Sequence, residues 1–163
     1  MINLLQGDCL ELMKNIQDKS IDMVLCDLPY GTTRCKWDSI IPFEPLWEQY
    51  NRIIKDNGTI LLFSQMPFTA VLVMSNLKMF RYEWIAEKSM ATGFLNAKRM
   101  PLKCHENICV FYKKLPTYNA QMTKGKPYSI TRRDIGEQYL HNFESIETKN
   151  EGTRCPRDIL RDL

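Results

Sequence analysis

Ile21-Asp22-Met23-Val24-Leu25-Cys26-Asp27-Leu28-Pro29-Tyr30 decides the reading of this 163-residue chain. An apolar run ending in an acid, a proline and an aromatic ring predicts a buried strand over 21–26. Such a strand presents those groups at the sheet's carboxyl edge, where open α/β folds bind ligands. The Asp27 carboxylate can accept a hydrogen bond from an exocyclic amine. The Leu28 carbonyl can accept a second, because Pro29 disfavours a helical conformation before it and holds the turn extended. Tyr30 offers a flat face for a base taken out of its stack. The four residues alone also suit an ordinary strand end, so their surroundings decide.

Working outward, Ile2-Asn3-Leu4-Leu5-Gln6 alternates enough to predict a short strand, closed by Gly7-Asp8. Asp8 is placed to cap a helix over 9–16, where Leu10, Leu12, Met13 and Ile16 approach helical spacing. After Tyr30 a polar loop runs to about Pro42. An amphipathic helix is expected over 43–55, with Leu46, Trp47, Tyr50, Ile53 and Ile54 inward and Asn57-Gly58 ending it. The continuous apolar run 59–64 suits a strand covered on both faces. A proline-opened helix over 67–77 follows, then strands over 80–87 and 106–113 around a long basic loop. The resulting β-α-β-α-β-α-β-β order predicts an α/β, doubly wound sheet with one late strand pair. Beyond Leu115 the pattern weakens to Gly, Pro, Thr and charged residues, with a short helix expected around 134–143. Met66, Met74, Met79 and Met90 read as core filler.

With 44% hydrophobic residues the chain can build one domain of ordinary size, and no stretch has the roughly 20 apolar residues of a membrane span. The six cysteines form no CxxC pair, which argues against a metal site and for reduced thiols in a cytoplasmic protein. The net charge of +3 is unevenly divided. Residues 88–133 hold ten Lys or Arg against Glu106 alone, whereas the flanking segments are each acidic by three charges. That block also carries Phe94, Tyr112, Tyr118 and Tyr128. Basic and aromatic residues interleaved in this way suit a nucleic-acid surface, although a solvated basic face has the same composition.

Asp27-Leu28-Pro29-Tyr30 resembles the catalytic motif of the amino-methylating DNA methyltransferases, an acidic or amide residue followed by prolines and an aromatic. Asn3-Leu4-Leu5-Gln6-Gly7-Asp8-Cys9 is similar to the preceding strand of that family. Gly31-Thr32-Thr33, Lys36-Trp37-Asp38, the run from Glu87-Lys88 through Ala91-Thr92-Gly93-Phe94-Leu95-Asn96-Ala97-Lys98, and His105-Glu106-Asn107-Ile108 also look familiar and stand in the same order. The matching segments span residues 3–108.

The resemblance implies S-adenosylmethionine as cofactor and DNA as partner, with no metal. It places Asp27, Leu28, Pro29 and Tyr30 in catalysis, and Asp8, Cys9 and Asp27 beside the cofactor. Asp8 could equally be a bare helix cap. Lys98, Arg99, Lys103, Lys124, Lys126, Arg132 and Arg133 become candidates for DNA phosphate contacts. Trp37 reads as a loop anchor more readily than as a lid over the target base, and His105 and His141 as structural or surface residues. Residues 1–114 would form the catalytic α/β core and 115–163 a target-recognition segment.

In the permuted subgroup that this order matches, the glycine-rich FxGxG cofactor loop comes last. The seven glycines here form no GxG, so the resemblance implies an incomplete Rossmann-like sheet truncated before that loop. Strands following the loop would then be missing between residues 2–6 and 21–26, leaving 21–26 as an apolar edge. Adenine-N6 methylation is the leading expectation, with cytosine-N4 transfer supported by the same turn. RNA and protein-glutamine methylases share the turn as well, though the basic block favours a nucleic acid. A non-catalytic DNA-binding remnant and one half of a split enzyme are the other readings. The expected behaviour of the chain alone is oligomerisation, recruitment of a complementing fragment, or marginal stability, and a compact monomer with a high melting temperature would contradict it.

Overall fold

In the computed structural model, which describes residues 2–132 and 146–161, a mixed five-stranded sheet forms around strand β2 (Ile54–Ser64). The other strands are β1 (Ile21–Asp27), β3 (Phe80–Thr92), β4 (Lys103–Phe111) and β9 (Ile159–Leu160), in the spatial order β1-β2-β4-β3-β9. β1 runs parallel to β2, β4 runs antiparallel to both β2 and β3, and β9 runs parallel to β3. The backbone divides into two compact units, the first holding this sheet and the second spanning Tyr118–Arg157.

Alternation along β2 separates the two faces. Ile60, Leu62 and Ser64 point to one face with Cys109 and Phe111 of β4, and all five are buried. Helices α1 (Cys9–Met13), α2 (Phe43–Ile53) and α3 (Phe68–Ser75) cover that face through Met13, Leu46, Trp47, Tyr50, Ile53, Phe68 and Leu72. Phe111 sits centrally, 4.9 Å from the Trp47 ring centroid and 5.6 Å from that of Phe80. The opposite face holds a smaller cluster of Leu61, Ala86, Ile108 and Val110, flanked by Phe63, Trp84, Tyr112 and Leu160. Among the described residues the helical cover is therefore one-sided.

Residues 2–6 form no strand and are exposed, because the sheet order offers them no neighbour to satisfy their backbone groups. α1 is shorter than expected and stops at Met13. Arg52 of α2 satisfies carbonyls released there, donating to Met13 O at 2.6 Å and Ile16 O at 2.7 Å. α2 also stops early. Ile54 turns extended, and the helix passes directly into β2, so Asn57-Gly58 lies inside a bulged strand and not at a helix end. β3 runs to Thr92 and β4 starts at Lys103, so the expected long loop is mostly hairpin. Met79 alone of the four methionines is core. Met66, Met74 and Met90 are exposed, Met66 in the turn before α3 and the other two near the ends of α3 and β3.

Among its described residues the second unit contains two strand pairs. β5 (Thr123–Lys124) pairs with β8 (Thr153–Arg154), and β6 (Tyr128–Arg132) with β7 (Ile146–Asn150). The Arg154 guanidinium lies 4.8 Å from the Tyr128 ring centroid and donates to Asn150 Oδ1 at 2.8 Å. The helix expected around 134–143 lies outside the described residues.

β1 is bonded on one side only and forms an edge of the sheet. Its Val24 and Cys26 face the helical core, whereas Met23 and Leu25 are 52% and 56% exposed on the other face. Phe111→Ala is expected to lower unfolding free energy by about 3–5 kcal/mol, the usual result of emptying a packed aromatic site. Leu25→Ala should change it by less than about 1 kcal/mol, because most of that side chain is already in water. Urea unfolding followed by circular dichroism measures both.

Candidate active site at the carboxyl edge

Parallel pairing sets the ends of β1 and β2 side by side, with Asp27 opposite Phe63. The antiparallel register then brings Asn107 of β4 opposite Ser64, and Ile85 of β3 opposite Asn107. Asp27, Ser64, Glu106 and Asn107 consequently share one edge of the sheet, and Lys88 of β3 ion-pairs with Glu106 there. Asn107 is buried and donates to Glu83 at 2.8 Å, which fixes its amide within the sheet.

The strand end forms an ordered turn. Leu28 is buried in the helical-face core, an anchor that fixes where its flanking peptide groups can point. The Tyr30 hydroxyl donates to Asp27 Oδ1 at 2.6 Å, and the Tyr30 ring stacks on Phe68 with centroids 5.2 Å apart and planes at 29°. Burial, then the Asp27 carboxylate, push the Tyr30 hydroxyl far above its ordinary pKa, so it stays a neutral donor. Among the described residues no hydrogen bond reaches the second Asp27 oxygen, and the Asp27 side chain is exposed at the edge.

A residue with no assigned role in the sequence reading holds this turn in place. Asp38 is buried and collects three backbone N–H groups, from Gly31 at 2.8 Å, Thr32 at 2.9 Å and Thr33 at 2.6 Å. The Thr33 side chain and these backbone donors hold its carboxyl below the usual range. Gly31 adopts φ +68°, a left-handed conformation that lets its N–H reach Asp38. A Cβ there would also lie 3.1 Å from Ile40. An acid a few residues beyond Gly-Thr-Thr was the available signal for this nest of donors. Phe68, behind Tyr30, had no such signal, because its partner is set by how α3 lies on the sheet.

Asp8 caps α1, accepting from Leu10 N at 2.8 Å, and both Asp8 and Cys9 are exposed. Burial is the main cause of the raised Cys26 pKa, with a smaller contribution from Cys9. Trp37 is 73% exposed and is therefore not a buried anchor for the loop. Among the described residues no cluster of His, Cys, Asp and Glu could hold a metal ion.

The basic candidates are dispersed. Lys98, Arg99 and Lys103 lie on or beside the β3–β4 hairpin, exposed, with Lys103 Nζ donating to Gln65 at 3.2 Å. Lys124 is on β5 and Lys126 follows it, both exposed, and Arg132 ends β6. His105 is exposed on β4. Arg133 and His141 lie outside the described residues. No helix of the described residues is long and apolar enough to cross a membrane.

No family model matches the chain. Among curated proteins it is 34% identical over 80 residues to the type II methyltransferase M2.MboI of Moraxella bovis, covering 36% of this chain and 29% of that protein. To M.HpaI of Haemophilus parainfluenzae it is 28% identical over 159 residues, or 90% of this chain and 48% of the relative. To M.HinfI of Haemophilus influenzae it is 24% identical over 197 residues, or 96% and 53% respectively. The chain thus spans about half the length of the relatives it matches most fully, and less of the first. Among solved structures, the cytosine-N4-specific PvuII DNA methyltransferase aligns with a TM-score of 0.53 at 13% identity, covering 69% of this chain and 50% of that one. M1.HpyAVI in complex with SAM aligns at 0.51 and 15% identity, covering 86% and 65%. At those identities the likeness is one of fold, a mixed sheet with helices of the methyltransferase type.

Asp38→Asn replaces one acceptor oxygen with a donor that opposes the loop's N–H groups. Hydrogen-exchange protection of the Gly31, Thr32 and Thr33 amides should fall in the variant, while protection in β2 and β4 stays. Because the Asp38 pKa is lowered in the folded chain, its contribution is complete above the ordinary carboxylate value of about 3.9. It is lost as pH falls through the lower folded value. Loop protection in the native chain should therefore fade only on the acid side of that range, and the variant should lack this transition.

Proposed function

We propose that this chain, a homologue of the type II DNA methyltransferases, carries the base-binding half of a DNA adenine-N6 methylation site, with Asp27-Leu28-Pro29-Tyr30 as its catalytic turn. The observation that carries the reading is the turn's geometry. An acid at a strand's carboxyl end has one oxygen held by Tyr30 and the other open toward solvent, and Asp38 fixes the loop behind it.

The exocyclic amine of adenine is a poor nucleophile because its lone pair is delocalised into the ring. Asp27 accepts one amine hydrogen and the Leu28 carbonyl the other, which draws the nitrogen toward tetrahedral geometry and frees the lone pair. Pro29 keeps the Leu28 carbonyl in an extended turn where it can do so. Tyr30 has one ring face on Phe68, and its opposite face would stack on the extruded base, a contact of roughly 1–3 kcal/mol. Asp8, Cys9 and Asp27 would hold S-adenosylmethionine, which when bound would supply the methyl group as its sulfur–methyl bond breaks. Lys98, Arg99, Lys103, Lys124, Lys126, Arg132 and Arg133 are the proposed phosphate contacts, and residues 115–163 the target-recognition segment.

The same turn fits cytosine N4, whose amine is equally conjugated, and the cytosine-N4 specificity of one structural neighbour keeps that alternative in view. The open edge of β1 offers a place for a further strand, from a second copy or a complementing fragment. A DNA-binding remnant without catalysis is the reading that remains if cofactor binding fails.

Asp27→Ala should lower methyl transfer by roughly 100- to 1000-fold or more, as loss of one transition-state contact does elsewhere. The measurement is incorporation of labelled methyl from S-adenosylmethionine into DNA, followed by nucleoside analysis. N6-methyl-2′-deoxyadenosine bears out the proposal, N4-methyl-2′-deoxycytidine moves it to the other base, and full activity in the variant removes Asp27 from the mechanism. Calorimetry of the chain with S-adenosylmethionine separates an enzyme from a remnant.

A further inference from the structure

The tip of the β3–β4 hairpin is apolar, ordered and almost wholly in water. Phe94 is 80% exposed and Leu95 98%. They sit in a 3-10 turn (Phe94–Asn96) that opens at Gly93, whose φ of +89° swings the chain out of β3. The turn is internally bonded, with Asn96 N donating to Gly93 O at 2.9 Å and Ala97 N to Phe94 O at 3.0 Å. A second turn follows, with Arg99 N on Asn96 O at 2.8 Å. The bonded turn holds two large apolar side chains in water, where they forgo the stabilisation that burial would give them. Phe94 and Leu95 belong to neither core cluster.

Charge and position narrow the partner. Between Glu87 and Glu106 there is no acid, while Lys88, Lys98, Arg99 and Lys103 are basic. The hairpin extends from the sheet edge that carries Asp27, and Lys103 at its base bonds to Gln65 just beyond β2. Lys98 and Arg99 follow the apolar tip directly in the chain, and an apolar point with cations beside it in sequence matches a polyanion with an apolar interior, such as a duplex opened at one base.

We infer that Phe94 and Leu95 form a wedge that enters the base stack of duplex DNA, while Lys98 and Arg99 hold the flanking phosphates. This rests on the proposed reading of the chain as a DNA-acting protein. Apolar side chains driven between base steps partly unstack them, which lowers the work of bringing a base out to the Asp27 turn. Phe94 and Leu95 are positioning residues in this role, because they act on the neighbouring stack and not on the reacting amine.

The test compares binding of the full chain to a 30-base-pair duplex of mixed sequence with binding to the same duplex carrying one central abasic site. A wedge should favour the gapped duplex by roughly fivefold or more, the lower end of what base stacking contributes. The Phe94→Ala, Leu95→Ala double variant should lose that preference and keep its salt dependence. Both side chains are in water, so folding is unaffected, and circular dichroism checks this. The Lys98→Ala, Arg99→Ala pair should keep the preference and lower the slope of log affinity against log salt by roughly two. If the double variant keeps the preference, or the chain shows none, the wedge is overturned while DNA binding stands. If the chain binds neither duplex but binds vesicles of anionic phosphatidylserine, the tip reads a membrane, and the DNA reading falls with the wedge. Binding to none of the three overturns both.

Discussion

Strand β2 has to be buried on both faces at once, and the rest of the first unit follows from that demand. Leu62 stands opposite Cys26 on one side and Cys109 on the other, while Leu61 turns the other way toward Val110. A strand this apolar cannot lie at an edge, so it takes a neighbour on each side. Parallel pairing with β1 carries Asp27 to the level of Phe63, and antiparallel pairing with β4 returns Asn107 to the level of Ser64. The site is thus assembled by register, and a one-residue slip would turn every buried side chain outward.

Beyond the sheet, order at the site depends on small polar attachments more than on hydrophobic area. Asp38 gathers three N–H groups that the loop after Tyr30 could not otherwise satisfy within the protein. Its buried carboxylate acts as a fixed centre for a stretch that has no regular secondary structure. Phe68 supports the Tyr30 ring from α3, and the Tyr30 hydroxyl holds Asp27. One face of Tyr30 and one oxygen of Asp27 are therefore committed to holding the turn.

The hairpin at the far side of the edge behaves differently. Its tip is ordered by backbone bonds within its own turns, and Phe94 and Leu95 there belong to neither core cluster. The open edge of β1 is a second place where the described fold meets its surroundings without protein cover.

Local pattern alone is enough for the strand ending in Asp27-Leu28-Pro29-Tyr30, the central strand near 59–64, the helices near 43–55 and 67–77, and the late strand pair. Hydrophobic period and proline are local properties, and these elements bury continuous apolar surface that no alternative conformation would cover. Tertiary structure decided what the local pattern could not. Residues 2–6 alternate correctly but find no neighbour, Asn57-Gly58 carries a helix-stop signal yet lies in a bulged strand, and three of four methionines assigned to the core lie in water. The roles of Asp38 and Phe68 also come from tertiary structure. Asp38 acts on backbone groups five to seven residues away, and Phe68 reaches Tyr30 from another element altogether. A strand needs a partner and a carboxylate needs donors, and both are supplied by chain that is close in space whatever its distance in sequence.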